Sequence, residues 1–213
     1  MWDKVTAEME SASHGLRIVF IAPAPRAGTV QYTHNLANAL AERGHQVTLV
    51  TGVGFELADY PRGYQVLEVF DRYRPRPFRL VRFLWHCLTF RPQIVHLQGA
   101  QHPAIYILLW AILRGLGIDC FVYTPQDVLP NSLRPYHVRA FRFLYARMRH
   151  VFLNAKQNEP LVIHHFSVPP DRITVLPIAD LTAFVRTHVT SEPPTIPPDA
   201  RVVLCFGLIE PRK

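Results

Sequence analysis

Cysteine is scarce in this sequence, and its placement argues against two kinds of site. Cys87, Cys120 and Cys205 lie far apart, and none belongs to a C-x-x-C pair or to a zinc-type spacing with histidine. They indicate neither a disulfide framework nor a zinc site. We therefore expect a protein of the reducing cytoplasm with no metal and no cofactor.

Long hydrophobic runs are also missing. Residues 1–15 lack the basic start and apolar stretch of a secretory signal, and we predict that they form a flexible leader. The longest apolar run, residues 104–113, is well short of the roughly 20 residues that a membrane-spanning helix needs. We expect this run to form a buried helix.

Acidic residues are outnumbered: 16 Asp and Glu face 23 Lys and Arg, which gives a net charge of +7. Residues 72–92 and 134–150 mix many of the arginines with aromatic residues. Each stretch is either a solvated helix face or a surface for an anionic membrane, which would make the protein peripheral at the inner membrane face. No recognition motif accompanies the charge, so nucleic acid is not an expected partner.

Short apolar runs alternate with helical patterns along most of the 213 residues. Several runs are apolar on both alternating faces, which is typical of parallel strands covered by helices on both sides. The predicted fold is α/β, a Rossmann-like parallel sheet with helices on both faces. Strands are expected at 17–22, 46–52, 64–70, 93–99, 120–124, 150–155 and 172–177, and helices at 30–43, 78–90, 103–115, 134–148 and 156–166.

The composition changes near the end of the chain. We predict a Rossmann-like domain over residues 16–184, a proline-rich linker over 185–200, and the first strand and loop of another domain over 201–213. A lone strand cannot bury itself. The chain is therefore expected to be truncated, to come from a gene fragment, or to be completed by a partner chain.

Ligands of open parallel sheets bind beyond the carboxyl ends of the strands, so polar residues in those loops are candidates. Gly28 precedes a helix start that favours an anion, although no G-x-G-x-x-G is present and an ordinary turn is the alternative. Gln98 and His102 suit sugar hydroxyls, but helix capping and exposure to solvent would also explain them.

The loop after the fifth predicted strand contains Gln126 and Asp127 between Pro125 and Pro130. The prolines restrict the loop, and Asp127 can accept a proton or a hydroxyl hydrogen bond. An Asx-type cap of the loop amides is the alternative. At the end of the chain, Lys213 can face an anion or belong to a basic tail.

Four segments together resemble one family. RIVFIAPAPRAGTVQYTHNLANALAERGHQVTLVTG is similar to the opening strand, glycine loop, helix and second strand of the N-terminal domain of group 1, family 4-like GT-B glycosyltransferases. PQIVHLQG, VPPDRITVLPIAD and VVLCFGLIEPRK resemble later segments in the same order. The last of these is similar to the start of the family's C-terminal domain.

The resemblance implies an acceptor-binding domain, a donor domain for a nucleotide-diphosphate sugar, and retaining transfer to a glycan or lipid acceptor, generally without a metal. It places Gly28, with Thr29 beside it, near the donor phosphates and makes Lys213 the lysine that neutralises them. The predicted catalytic residues are Gln126 and Asp127, and the predicted substrate-binding residues are Gly28, Thr29, Gln98, His102 and Lys213.

This sequence departs from the family pattern in several places. Gln126 stands where a histidine is usual, Gly28 is alone where two glycines are usual, and Leu208 replaces a donor-contacting arginine. The acidic E-x7-E segment of the donor domain is not in the sequence. We expect a glycosyltransferase fragment that is inactive alone; the alternatives are a non-catalytic binding or assembly module and one half of a split glycosyltransferase.

Overall fold

The computed structural model describes residues 15–71, 73–99, 102–128 and 135–176. Within these ranges eight strands form one sheet, and five α-helices accompany it. The strands are β1 (Arg17–Ala22), β2 (Gln46–Gly52), β3 (Gln65–Asp71), β4 (Arg74–Pro75), β5 (Ile94–Gln98), β6 (Phe121–Thr124), β7 (His150–Leu153) and β8 (Ile173–Val175). The helices are α1 (Gly28–Glu42), α2 (Pro77–Phe90), α3 (Pro103–Gly115), α4 (Pro135–Arg147) and α5 (Glu159–Phe166).

The strand order is β4-β3-β2-β1-β5-β6-β7-β8. All neighbouring strands are parallel except β3 and β4, which are antiparallel. The chain therefore builds outward from β1 through β2 and β3, and then returns to place β5 on the other side of β1. The connections that leave β1 and β5 run to opposite sides, which opens a crevice beyond the carboxyl ends of these two strands.

Alternate side chains of the strands face two different layers. Val19 and Ile21 of β1, with Val95 and Leu97 of β5, belong to the main hydrophobic core together with buried residues from α2, α3, α4 and α5. The intervening residues point to the other face, as the period of two along a strand requires. On that face Phe20, together with residues of α1, β5, β6 and β7, lines an apolar groove of about 280 Å³.

Helix boundaries follow from residues that fix the backbone. Pro77 and Pro103 occupy the first turn of α2 and α3, where a missing N–H costs nothing. Gly44 follows α1 with φ of 85° and donates its N–H to the carbonyl of Ala41 at 2.9 Å. Gly44 therefore has the left-handed backbone conformation that commonly ends a helix.

The predicted fold class is confirmed, and the predicted strands and helices agree with the observed ones to within about two residues at most ends. The short antiparallel strand β4 was not predicted, because two residues carry no periodicity. The predicted linker, the strand expected at 201–206 and nearly all of the predicted leader lie outside the described residues.

No helix in the described part of the chain is long and apolar enough to cross a lipid bilayer. The apolar run at 104–113 forms part of α3, and its Leu109 and Leu113 are buried in the main core. The run is therefore a core helix, as its length predicts.

Leu108 and Leu109 offer a matched test of this core. Leu109 is 0% exposed and Leu108 is 48% exposed, although they are neighbours on α3. We expect Leu109→Ala to lower the free energy of unfolding by about 2–5 kcal/mol, because it removes buried contacts and leaves a cavity. Leu108→Ala should change it by less than about 0.5 kcal/mol. Equal effects in urea unfolding would contradict this packing.

Candidate functional site

Three loops meet beyond the carboxyl ends of β1, β5 and β6 and enclose a small cavity of about 80 Å³. The structure brings together five residues that the sequence predicts for a site: Thr29, Gln98, His102, Gln126 and Asp127. They come from segments far apart in the chain. The cavity is also lined by Pro23, Ala24, Tyr73, Gly99 and Tyr106.

Gln98 is the last residue of β5, and its side chain is fully buried. Its Nε2 lies 3.3 Å from Nε2 of His96, and that histidine nitrogen lies 2.7 Å from Oγ1 of Thr124. The other amide atom, Oε1 of Gln98, has no hydrogen-bond partner among the described residues. Gln98 is therefore not the solvent-facing residue that one interpretation of the sequence allowed.

Gln126 follows β6 and presents a second buried group without a partner. Its Nε2 is enclosed and finds no acceptor in the described part of the chain. An unsatisfied buried polar atom costs about 1–3 kcal/mol, and native proteins rarely keep one without a reason. Oε1 of Gln98 is an acceptor and Nε2 of Gln126 is a donor, which together match the two hydrogen-bonding capacities of a hydroxyl group.

His96 supports Gln98 from behind, and it was not predicted as part of the site. Its ring lies between Phe20 and Phe152, with centroid distances of 4.9 and 5.6 Å. Burial lowers the pKa of His96 to about 3. The ring is therefore neutral at physiological pH, and the interior of the site carries no charge at this position.

Two buried tyrosines hold the loop that carries Gln98. Oη of Tyr106 donates to the carbonyl of Gln98 at 2.5 Å, and Oη of Tyr123 donates to the carbonyl of Gly99. Burial raises the pKa of both phenols, so they remain donors. Gly99 has φ of 109°, and a Cβ there would lie 3.0 Å from Oη of Tyr106. Glycine is therefore required for this close approach.

His102 and Asp127 lie at the exposed edge of the cavity. His102 occupies the N-cap position of α3 without making a side-chain cap, so the capping interpretation is wrong for this residue. Its ring packs against Tyr73 at a centroid distance of 4.3 Å. Burial, with a smaller contribution from nearby His137, lowers the pKa of His102, which favours a neutral ring at pH 7.

The loop before α1 has an unusual backbone at Ala27. Ala27 has φ of 74° and ψ of −174°, a conformation that is otherwise almost confined to glycine. Its N–H donates to Oε1 of Glu56 at 2.9 Å, and Nε2 of Gln31 donates to the same oxygen at 3.3 Å. These contacts hold the loop in a strained form.

Gly28 itself does not line the described cavity, although Thr29 does. A Cβ added at Gly28 would meet no atom within 4 Å, so open space lies beside the start of α1. No side chain caps this helix start, and its first turn holds no acidic residue. An anion at this position stays a prediction. Lys213, the other predicted phosphate contact, lies outside the described residues.

Sequence reasoning missed Tyr73, Gly99 and Tyr106 as lining residues. Gly99 had a signal, because a glycine directly after a buried strand often marks a close backbone approach. Tyr106 had none, since its hydroxyl reaches Gln98 only through the packing of α3 on the sheet. Within the described ranges, no three His, Cys, Asp or Glu residues cluster as a metal site would require.

Replacing His96 should change how stability depends on pH. The unfolded chain takes up a proton near pH 6.5 and the folded chain only near pH 3, so stability falls as pH decreases through this window. Between pH 7 and pH 5, proton uptake by His96 in the unfolded chain lowers the free energy of unfolding by about 2 kcal/mol. His96→Gln should remove that part of the decrease in urea unfolding, whereas His164→Gln, on the exposed face of α5, should not. Identical pH profiles would refute the burial argument.

Ala27→Gly should stabilise the fold. Relief of the strained backbone is worth about 1–3 kcal/mol, and the greater freedom of glycine in the unfolded chain offsets about 0.4–1 kcal/mol of it. We expect a net gain of about 1 kcal/mol, measured by thermal unfolding. Ala39→Gly, inside α1, is the control and should lose about 1 kcal/mol. A comparable loss in both variants would show that Ala27 is not strained.

The chain is similar to one protein family and to a number of solved structures. The profile of Glycosyltransferase Family 4 matches residues 26–179. Comparison with functionally curated proteins gives no significant match. Among solved structures, HepE from Anabaena in complex with UDP and glucose has a TM-score of 0.57 and 12% identity, over 78% of this chain and 45% of HepE.

Two further glycosyltransferase structures are similar in fold. A glycosyltransferase from Rickettsia africae has a TM-score of 0.53 and 18% identity, over 76% of this chain and 43% of its own. UGT73P12 from Glycyrrhiza uralensis, in complex with glycyrrhetinic acid 3-O-monoglucuronide, has a TM-score of 0.52 and 11% identity, over 83% of this chain and 51% of its own. The chain thus spans about half the length of these GT-B structures. Because the family profile covers most of its length, the chain belongs to glycosyltransferase family 4.

Proposed function

We propose that this chain forms the acceptor-binding side of a retaining glycosyltransferase that uses a nucleotide-diphosphate sugar. The cavity beyond β1, β5 and β6 receives sugar hydroxyl groups, and the transfer takes place at its mouth. Membership of family 4 supports the reaction class. The cytoplasmic location stays a prediction from the cysteine spacing.

The pair of unpartnered amide groups carries this proposal. Oε1 of Gln98 and Nε2 of Gln126 are buried, and both residues line the same cavity. We expect one sugar hydroxyl group to reach both atoms, because it would satisfy an acceptor and a donor that have no partner in the described ranges. The neutral surroundings provided by His96 suit an uncharged sugar better than a phosphate or a carboxylate.

Asp127 and His102 are proposed to complete the acceptor site at its edge. Asp127 accepts a hydrogen bond from the attacking hydroxyl group and so orients its oxygen toward the anomeric carbon of the donor. His102, with its lowered pKa, is able to accept or donate a hydrogen bond without adding charge. Gln126 orients a second hydroxyl group of the acceptor. This role needs no positive charge, although the family usually has a histidine at this position.

The donor diphosphate needs positive charge or backbone N–H groups around it. Neither Lys nor Arg is among the described residues that line the cavity. We propose that the start of α1 at Gly28 approaches the diphosphate and that Lys213 neutralises it as the leaving group gains charge. HepE, which shares this fold, has been observed with UDP and glucose, which makes UDP-glucose a reasonable first donor to test.

Replacing the two glutamines by leucine separates binding from folding. We expect Gln126→Leu and Gln98→Leu to weaken binding of a hydroxyl-bearing ligand about tenfold or more, because each removes one hydrogen-bond partner of the sugar. The measurement is calorimetry of the chain with UDP-glucose and with a panel of methyl glycosides. Gln126→Leu should leave the thermal midpoint unchanged or raise it, since it removes a buried unsatisfied group.

Gln65→Leu is the matched control, because Gln65 is exposed at the start of β3, away from the cavity. It should bind the same ligands as the unaltered chain. If neither glutamine replacement changes the binding of any sugar, the cavity is not a sugar site. If glycosides bind normally but transfer never occurs, even with a complete donor domain present, the chain is a binding module rather than part of an enzyme.

A further inference from the structure

Helix α2 carries an exposed apolar surface, which we define as the α2 stripe: Phe78, Val81, Trp85 and Leu88. These side chains are 92%, 65%, 67% and 47% exposed. Spacings of three, four and three residues place them on one side of a helix that turns 100° per residue. Phe83 and Cys87 lie on the opposite side and are buried in the main core.

The α2 stripe is more than the scattered exposed residues that any surface contains. It extends over the eleven residues from Phe78 to Leu88, or about 15 Å of helix. Its two aromatic side chains are large and rigid, and one of them, Phe78, is almost completely exposed. A contiguous surface of this kind usually marks a contact with another molecule or with a membrane.

Three arginines without an ion pair in the described ranges lie before, within and after helix α2. Arg74 precedes the helix, Arg82 lies beside Val81, and Arg91 follows the last turn; all three are exposed and none has an ion pair within the described ranges. Helix α2 itself contains no Asp or Glu. A partner for this surface must therefore offer apolar area with negative charge around it.

Two other arginines of the same region are already neutralised. Arg76 pairs with Asp71 at 2.6 Å, and Arg79 pairs with Glu68 at 3.3 Å. Both acidic partners precede the helix in the chain, on β3. Asp71 and Glu68 thus pair with Arg76 and Arg79. The three arginines without an ion pair in the described ranges can therefore bind an anion from outside the protein.

We propose that α2 lies flat on an anionic lipid bilayer, with the α2 stripe inserted at the boundary between head groups and acyl chains. Arg74, Arg82 and Arg91 contact the lipid phosphates, while their aliphatic stems cover apolar surface. Each arginine near an anionic surface adds about a fivefold gain in binding. A stripe of four side chains gives a reversible, peripheral attachment.

A second copy of the chain is a less suitable occupant. In a symmetric dimer through this face the same patch meets itself, so the unpaired arginines of both copies would come together without acidic partners. Like charges facing each other across an interface oppose association. An anionic bilayer provides what the second copy lacks.

In the other arginine-rich helix, α4, two of the three arginines contact other groups of the protein. Arg147 lies over the ring of Phe143 at 4.5 Å and near Trp110 at 5.5 Å. Arg142 donates to the carbonyl of His165 at 3.1 Å. The sequence allowed a membrane role for both stretches, and these contacts favour α2 over α4.

Vesicle sedimentation tests the proposal with the chain as it is. We expect the chain to bind vesicles made of phosphatidylcholine mixed with anionic phosphatidylglycerol, and added salt should release it. Vesicles of phosphatidylcholine alone should bind the chain at least about tenfold more weakly. The double variant Phe78→Ser with Trp85→Ser should lose binding about tenfold or more, and Arg82→Gln should lose about fivefold. All replaced side chains are exposed, so an unchanged thermal midpoint verifies folding.

Leu108→Ser on α3 and Arg139→Gln on α4 are the matched controls, because they remove an exposed leucine and an exposed arginine elsewhere. Both should bind vesicles as the unaltered chain does. The proposal is overturned if the chain ignores anionic vesicles, or if the double variant binds them normally. It is also overturned if the chain forms a concentration-dependent dimer through the α2 stripe, which the double variant would no longer form.

Discussion

The reversal of strand order between β1 and β5 brings three loops to one point. Each strand ends at the same edge of the sheet, and β5 returns beside β1 only after the chain has completed β2 and β3. Gln98 and Gln126 are separated by 28 positions in the sequence, and Thr29 comes from another segment altogether; they lie around one cavity because β1, β5 and β6 are adjacent. Without this order the polar residues of the cleft would have no common site.

The rigidity of the cleft has a cost that the surrounding core offsets. Two amide atoms buried at the cleft lack partners within the described ranges, Ala27 is held in a strained backbone conformation, and Tyr106 leaves no room for a Cβ at Gly99. Tyr106, Tyr123 and the neutral His96 hold Gln98 and Gly99 from behind. Four buried side-chain atoms lack a hydrogen-bond partner in the described ranges: two of them line this cavity, and the other two, Oη of Tyr145 and Oδ1 of Asn154, belong to residues that do not. Two such atoms in one cavity, near a strained backbone, are typical of a site whose geometry serves a ligand rather than stability.

The fold could be predicted from the sequence because each element contains its own signal. The apolar runs of β1 and β5, the helical spacing that ends at Gly44, and the prolines that begin α2 and α3 are all local features. The candidate site could be predicted in part, since Gln98 ends β5 and Gln126 and Asp127 lie in the loop that follows β6. The roles of His96 and Tyr106 could not, because burial and ring orientation depend on which helix covers which strand. The backbone of Ala27 was equally hidden, since its φ depends on a carboxylate 29 residues away.

The two helices rich in arginine show how the same composition takes on different roles. In α4, Arg147 lies over the ring of Phe143 and Arg142 donates to a backbone carbonyl, so two of its arginines have partners on the protein's own surface. In α2 the carboxylates of β3 engage Arg76 and Arg79, while three other arginines and four apolar side chains remain exposed. Tyr73, which lines the cavity, lies four residues before Pro77 at the start of α2. A chain attached through α2 would therefore hold its cleft close to the membrane, where an acceptor carried by a lipid would be within reach.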